Sequence, residues 1–386
     1  MKLLGHSPIC VMQAVASTLL IASIVACEVA LPPPSPIARP TTAAIDRAQM
    51  PAFPLTATDI PYLSRTPSSR AASPLGPSFQ ELQFFHTGSL QSLDWAPSGD
   101  AIAALSYGTV DEFSSTITLF DLSDDLRHWS TWFDYGDALA FSPAGAVIAV
   151  PHPTKDMVQL FDAENGLQLE PLDCGDASAR CNGGDYVAFL PDGLHLLTAT
   201  FSEGGGAIYE WDVIAGSFLG TLALADGTIF DLSMSPTGEW FTTDLADLET
   251  GKGVVSAWAY PSGELKCMWP GRSSAPLGED DQVAIATGQV IAIYDVRTCQ
   301  ELSALSGTQS YIVADPLGAL LAAITLDRDL TIYDLQSQEA GPTQRVEQLG
   351  SSRDGFVAMD FNRDGSLLAI GEEYGVRVLQ VILGVR

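Results

Sequence analysis

Two cysteines seven residues apart, Cys174 and Cys181, enclose the loop CGDASARC. Their chemistry is oxidative: thiols this close, joined through glycine and small side chains, can close a local disulfide in an oxidising compartment. Cys267 and Cys299 can pair only if the fold brings them within reach, which the sequence leaves open. A second constellation is acidic. Asp137, Asp185, Asp226 and Asp354, with Asp134 beside the first, each stand ahead of an apolar segment. Gathered round one opening they would form a carboxylate rim able to bind a cation or a basic segment of a partner. The plainer reading of the same residues is that Asp forms turns well.

Other reactive groups lack the spacing that chemistry demands. There is no GxSxG elbow, HExxH pair, P-loop, CxxC or dinucleotide fingerprint. Beyond the N-terminal segment the histidines are His86, His128, His152 and His195, none at the i, i+4 spacing of a metal pair. Serines such as Ser256 and Ser310 have no identifiable base. The glycine-rich runs GGDY at 183–186 and SEGGGA at 202–207 precede strand-like segments rather than helices, so they are turns and not phosphate cradles. No catalytic residue, metal or cofactor is expected.

The N-terminus carries a different chemistry. Lys2 precedes an apolar run, Val11 to Ala26, that is short for a membrane span and ends Ile24-Val25-Ala26-Cys27. That ending resembles a bacterial lipobox: small side chains let a peptidase reach the bond, and the Cys27 thiol takes up diacylglycerol before cleavage. Residues 1–27 are therefore expected to be a lipoprotein signal, and the mature protein to be extracytoplasmic and anchored in the cell envelope through lipid on Cys27. Residues 28–78 hold 11 of the 24 prolines. Proline removes backbone donors and fixes φ, so this stretch is expected to be an extended, disordered tether.

The formal net charge is −29, with only 17 % of residues charged and 46 % hydrophobic. A field of that sign repels a phosphate backbone, so nucleic acid is excluded as a partner. The hydrophobic content is ample for a core.

Whatever chemistry residues 79–386 perform must be positioned by a repeat. WAPSGDAIAAL at 95–105 is echoed by FSPAGAVIAV at 141–150, FLPDGLHLLTA at 189–199, MSPTGEWFTT at 234–243, ADPLGALLAAI at 314–324 and FNRDGSLLAIG at 361–371. The anchors Trp95, Phe141, Phe189 and Met234 recur every 45–48 residues, and the longer gap before Ala314 holds one degenerate unit near residue 275. Self-similarity at this period marks units that cannot bury their apolar faces alone. Ahead of each anchor the residues alternate, with Leu93, Leu139, Val187, Leu232, Ile312 and Met359 apolar. A third strand ends in an aromatic followed by Asp: TLFDL, QLFDA, YEWDV, AIYDV and TIYDL, the Asp placed to cap the next turn. Four antiparallel strands per unit and seven units predict an all-β fold, a seven-bladed β-propeller over 79–386. SFQELQFF at 78–85 is expected to close the ring as the outer strand of the last blade.

These SPxG turns and aromatic-Asp strand ends resemble the WD-repeat propellers, and YEWD at 209–212 contains the namesake dipeptide. His86, nine residues before Trp95, and Asp327, seven before Asp334, stand where that family places its structural His and Asp. The resemblance is to a divergent, exported bacterial type. It implies a non-catalytic platform for a protein partner, here an unidentified one bound by a monomer. The alternatives are a propeller enzyme of lactonase or quinone-cofactor dehydrogenase type, to whose docking motifs SGELKCMW at 262–269 is faintly similar, and a cation- or carbohydrate-binding module using the acidic mouth. Trp95, Trp211 and Trp240 are expected in the core. Trp129 and Trp132 are either edge packing or an exposed binding patch.

Overall fold

Alternating apolar residues and glycine turns become strands throughout, and no α-helix forms among the described residues. The computed structural model describes residues 77–107, 114–123, 126–175, 181–200, 205–247, 252–278, 280–307, 309–346 and 358–383. The expected signal with Cys27, the tether as far as residue 76, and Asp354 lie outside the described residues.

After β1 (Ser78–His86), the strands β2 (Leu90–Trp95), β3 (Ala101–Tyr107), β4 (Ser115–Asp121) and β5 (Leu126–Phe133) form one antiparallel sheet in chain order. Next come β6 (Ala140–Phe141), β7 (Val147–Pro151), β8 (Met157–Asp162) and β9 (Leu172–Asp173). They are followed by β10 (Tyr186–Phe189), β11 (His195–Ala199), β12 (Gly206–Asp212) and β13 (Ser217–Ala225). A third sheet holds β14 (Gly227–Met234), β15 (Trp240–Asp247), β16 (Gly253–Ala259) and β17 (Leu265–Pro270). A fourth holds β18 (Ser273–Leu277), β19 (Gln282–Ala286), β20 (Val290–Asp295) and β21 (Glu301–Ser306). In the fifth, β22 (Tyr311–Ala314), β23 (Leu320–Ile324) and β24 (Asp329–Asp334) are flanked by a split outer strand, β25 (Glu339–Ala340) and β26 (Gln344–Arg345). The last three strands are β27 (Met359–Phe361), β28 (Leu367–Glu372) and β29 (Gly375–Ile382), with β1 paired to β29 as the outer strand of their sheet.

The sequence predicts seven separate four-stranded sheets, and here the structure differs. Five small sheets stand alone, and β6 to β13 form a single sheet of eight strands. The cause is a backbone contact: the outer strands β9 and β13 present free edges, and they meet at one parallel pair, Ser217 with Asp173.

Local chemistry explains the turns. Gly99 and Gly193 take φ of 80° and 66° between first and second strands, a region that costs glycine nothing. Each third strand that ends aromatic-Asp caps the turn beyond it. Asp121 accepts the main-chain N–H of Ser123, Asp162 that of Glu164, Asp212 that of Ala215, Asp295 that of Thr298 and Asp334 that of Gln336, at 2.7–2.9 Å.

Packing makes the series a ring. The buried clusters each draw on consecutive four-strand units; one joins Phe133 and Leu119 to Phe141 and Phe161, another Tyr333 and Ile312 to Ile291. The series closes on itself where Leu90, Trp95 and Phe120 pack with Phe85, Ala369 and Val378. Arg377 on β29 fastens the closing strand: it pairs with Glu81 of β1 and with the buried Glu372 of β28, and lies 5.4 Å from the Phe84 ring centre. Trp95, Trp211 and Trp240 are all buried, as expected of core residues.

Two disulfides add covalent links. Cys174–Cys181 spans the connection from β9 to β10 with Cα atoms 6.0 Å apart. Cys267 on β17 joins Cys299, in the turn before β21, across two neighbouring sheets, with Cα atoms 5.7 Å apart. Such bonds persist in oxidising, extracytoplasmic surroundings. The structural His and Asp of WD repeats are not reproduced as a buried pair, since Asp327 is exposed in the turn before β24 and His86 sets its ring edge-on to Phe84 at 4.9 Å.

Candidate functional site at the ring mouth

Strand alternation decides which loops share a face. Each first strand and second strand meet in a tight turn at one end. The connections into first strands, and those from second to third strands, therefore lie together at the other end. Asp137 lies between β5 and β6, Asp185 just before β10, and Asp226 is the single exposed residue between β13 and β14. All three belong to that face.

Asp137 is the centre of a built cluster rather than a free carboxylate. Tyr107, at the end of β3, donates its phenol proton to Asp137 Oδ1 at 2.8 Å, and Tyr135 donates to the same oxygen at 3.0 Å. The two rings stack with centroids 5.8 Å apart and 27° between planes. Gly136 permits this approach: a Cβ there would sit 2.3 Å from Val150 Cγ1. Its N–H donates to Ser115 Oγ at 3.2 Å, and Gln159 Nε2 donates to the Tyr135 carbonyl, also at 3.2 Å. Burial, then the neighbouring Tyr135 and Asp137, push the Tyr107 phenol well above its ordinary value, so it keeps its proton and stays a donor.

The cluster continues into the next unit. His152, after β7, is buried and its Nδ1 accepts the Thr154 N–H at 3.3 Å, so the ring proton lies on Nε2. Among the described residues Nε2 makes no hydrogen bond; Asp134 Oδ2 is 3.8 Å away and already engaged by the Lys155 ammonium. Burial chiefly, aided by Lys155, holds His152 below the usual imidazole range, whereas the Lys155 contact holds Asp134 below the carboxylate range. The phenol protons are committed to Asp137, which leaves acceptor positions and aromatic surface. The arrangement is suited to hold hydrogen-bond donors and cations.

Beneath the mouth, the inner strands carry a second set of carboxyls. First strands are sheet edges whose outward N–H groups need acceptors. Asp94 Oδ2 on β2 accepts the Phe141 N–H of β6 at 2.6 Å, and Asp360 Oδ2 on β27 accepts the Trp95 N–H of β2 at 3.2 Å. Asp244 on β15 accepts from both the N–H and the hydroxyl of Ser274 on β18, at 2.9 and 2.6 Å. Asp231 on β14 stands directly opposite Asp244 in the strand register. Burial raises all four, Asp94 to about 6, Asp244 to about 8, and Asp231 and Asp360 upward; the facing carboxyl adds to the rise at Asp244 and Asp360, whereas at Asp94 the bond with Asp360 offsets part of it.

The remaining expectations divide. Trp129 is edge packing, its indole N–H donating to the Ala163 carbonyl at 2.9 Å, while Trp132 on the same strand is exposed. His128 lies on β5, and His195 bonds Asp192 at 2.7 Å on the turn face, away from His152. Among the described residues, no group of three or more His, Cys, Asp or Glu side chains is placed to hold a metal ion. Sequence reasoning missed Tyr107, Tyr135, Lys155 and the inner-wall carboxyls. The last had a signal: Asp94 and Asp360 fill a slot in the repeat where other units have Ala, Ser or Val. Comparison of the chain with protein-family models and with curated proteins gives no match.

Proposed function

We propose that this chain is an exported, membrane-tethered binding platform, held by lipid on Cys27 and a proline-rich spacer, whose ring presents its mouth to a protein partner. The reading takes the ring as seven WD-like units. Its support is that the two halves of the eight-stranded sheet share a core: Val147, Val158 and Leu160 pack against Phe189, Leu196 and Trp211, as separate blades do. Only one residue pair joins the halves as a sheet.

The observation that carries the function is the mouth cluster of Tyr107, Tyr135 and Asp137, assembled from loops that the closed sheets hold rigidly. The partner segment it suits is basic and rich in donors. A photo-crosslinking residue at position 135 should capture one defined protein in solubilised membranes, and Asp137→Asn should abolish that capture. The same residue at position 192, on the opposite face, should capture nothing. Equal capture from both positions would rule out the mouth as the docking face. Mass spectrometry of the mature N-terminus tests the anchor: diacylglycerol on Cys27 is expected, and an unmodified or absent Cys27 would remove that part of the reading.

A further inference from the structure

We propose that the inner wall of the ring is fastened by two shared protons, one between Asp94 and Asp360 at the closing seam and one between Asp231 and Asp244, so that the ring loosens as the surrounding pH rises. The geometry leaves each pair little alternative. Asp231 and Asp244 oppose one another across an antiparallel pair, where two like charges repel. Asp360 binds the amide of Trp95, the residue that follows Asp94, which sets the two carboxyls side by side. Two carboxyls so placed, away from any cation, hold one proton between them.

The strands around each pair supply no counter-charge. Against Asp94 and Asp360, β6 carries no charge and β22 only Tyr311, while Tyr107 on β3 lies at the mouth end and Glu372 on β28 is taken by Arg377. Against Asp231 and Asp244, β16 and β18 carry none, and β10 has only Tyr186. On β11, His195 is held by Asp192. On β12, Glu210 accepts the Tyr260 phenol proton, Asp212 caps its turn and Tyr209 lies in an edge contact with Phe218. Among the described residues these four carboxyls otherwise meet main-chain N–H groups and hydroxyls.

The sign follows from the direction of the shifts. Folding raises these groups, so the folded ring binds more protons than the unfolded chain above the ordinary value of 3.8. The stabilisation is complete below that value and is lost as pH rises through about 6 at Asp94 and about 8 at Asp244. Each O–H bond breaks heterolytically, the proton passes to water, and two carboxylates face each other across the pair. Three of the four accept a main-chain proton from a neighbouring sheet, so repulsion acts on the contacts that tie those sheets together.

The test uses the full chain at pH 5 to 9. Its melting temperature should fall by more than about 5 °C across that range. Asp244→Asn/Asp360→Asn, which puts an uncharged amide in each pair, should lose at least half of that fall. The exposed control Glu170→Gln/Glu339→Gln, matched in net charge, should keep it. Infrared difference spectra of the unmodified chain should show a protonated carboxyl at pH 6 that disappears by pH 9. Absence of that band, or equal slopes in the double variant and the control, would overturn the proposal.

Discussion

Trp95 and Asp360, 265 residues apart, hold each other by two bonds: the Trp95 N–H donates to the Asp360 carboxyl at 3.2 Å, and the indole N–H to the Asp360 carbonyl at 3.0 Å. One belongs to the first four-strand unit and the other to the last, so this pair is where the ring shuts.

Trp95→Phe keeps an aromatic ring in the core and removes the indole donor together with part of the ring volume. Stability should fall by at least about 1–2 kcal/mol, from the half-buried carbonyl left without its partner and from the space the smaller ring leaves. Urea denaturation measures it, and an unchanged midpoint would mean that the seam is held elsewhere.

Arg377 is the cation between β1 and β28, and the Glu372 it faces is only 2 % exposed. Arg377→Ala strands that carboxylate and should cost about 3 kcal/mol. Adding Glu372→Gln should recover part of the loss. If the double variant is no more stable than the single one, the damage lies in packing on Phe84 rather than in the stranded charge.

The two disulfides should differ in worth. Cys267–Cys299 closes 32 residues and Cys174–Cys181 only 7. By loop entropy, the Cys267→Ser/Cys299→Ser variant should lose about 3–4 kcal/mol and Cys174→Ser/Cys181→Ser about 2 kcal/mol. Denaturation midpoints of the two variants, each compared with the oxidised wild type, give the order.

His152 governs the acid side of the stability profile. Burial holds its folded value below 6.5, so the folded ring resists a proton that the unfolded chain accepts. Its contribution is intact above 6.5 and is lost as pH falls below it. His152→Gln should gain melting temperature relative to wild type as pH falls from 6.5 to 5, over which the carboxyl pairs act in the opposite sense. A constant difference between the two proteins over that interval would show that His152 does not contribute.

What could be read from the sequence was what repeats. Glycine after the anchor and aspartate after the aromatic act within a few residues of chain, so the turns at Gly193 and the caps at Asp295 and Asp334 were visible at once. The closing role of Ser78–His86 was visible because that segment had no other strand to join. Contacts between units were not visible. Cys267–Cys299 links one unit's outer strand to the next unit's turn, and the mouth draws Tyr107 from the end of β3 and Tyr135 and His152 from two different loops. The merging of β6 to β13 rests on a main-chain pair at Ser217 and Asp173, which side-chain patterns cannot foretell.

The pairing of β1 with β29 has a consequence for biogenesis. Among the described strands β1 gains its paired neighbour only when β29 is delivered, and Phe85, already stacked on Phe120, is then closed over by Val376 and Val378. Assembly is therefore all-or-none with respect to chain length: a nascent domain lacking its final strand leaves an apolar edge open for chaperones or for a neighbouring copy.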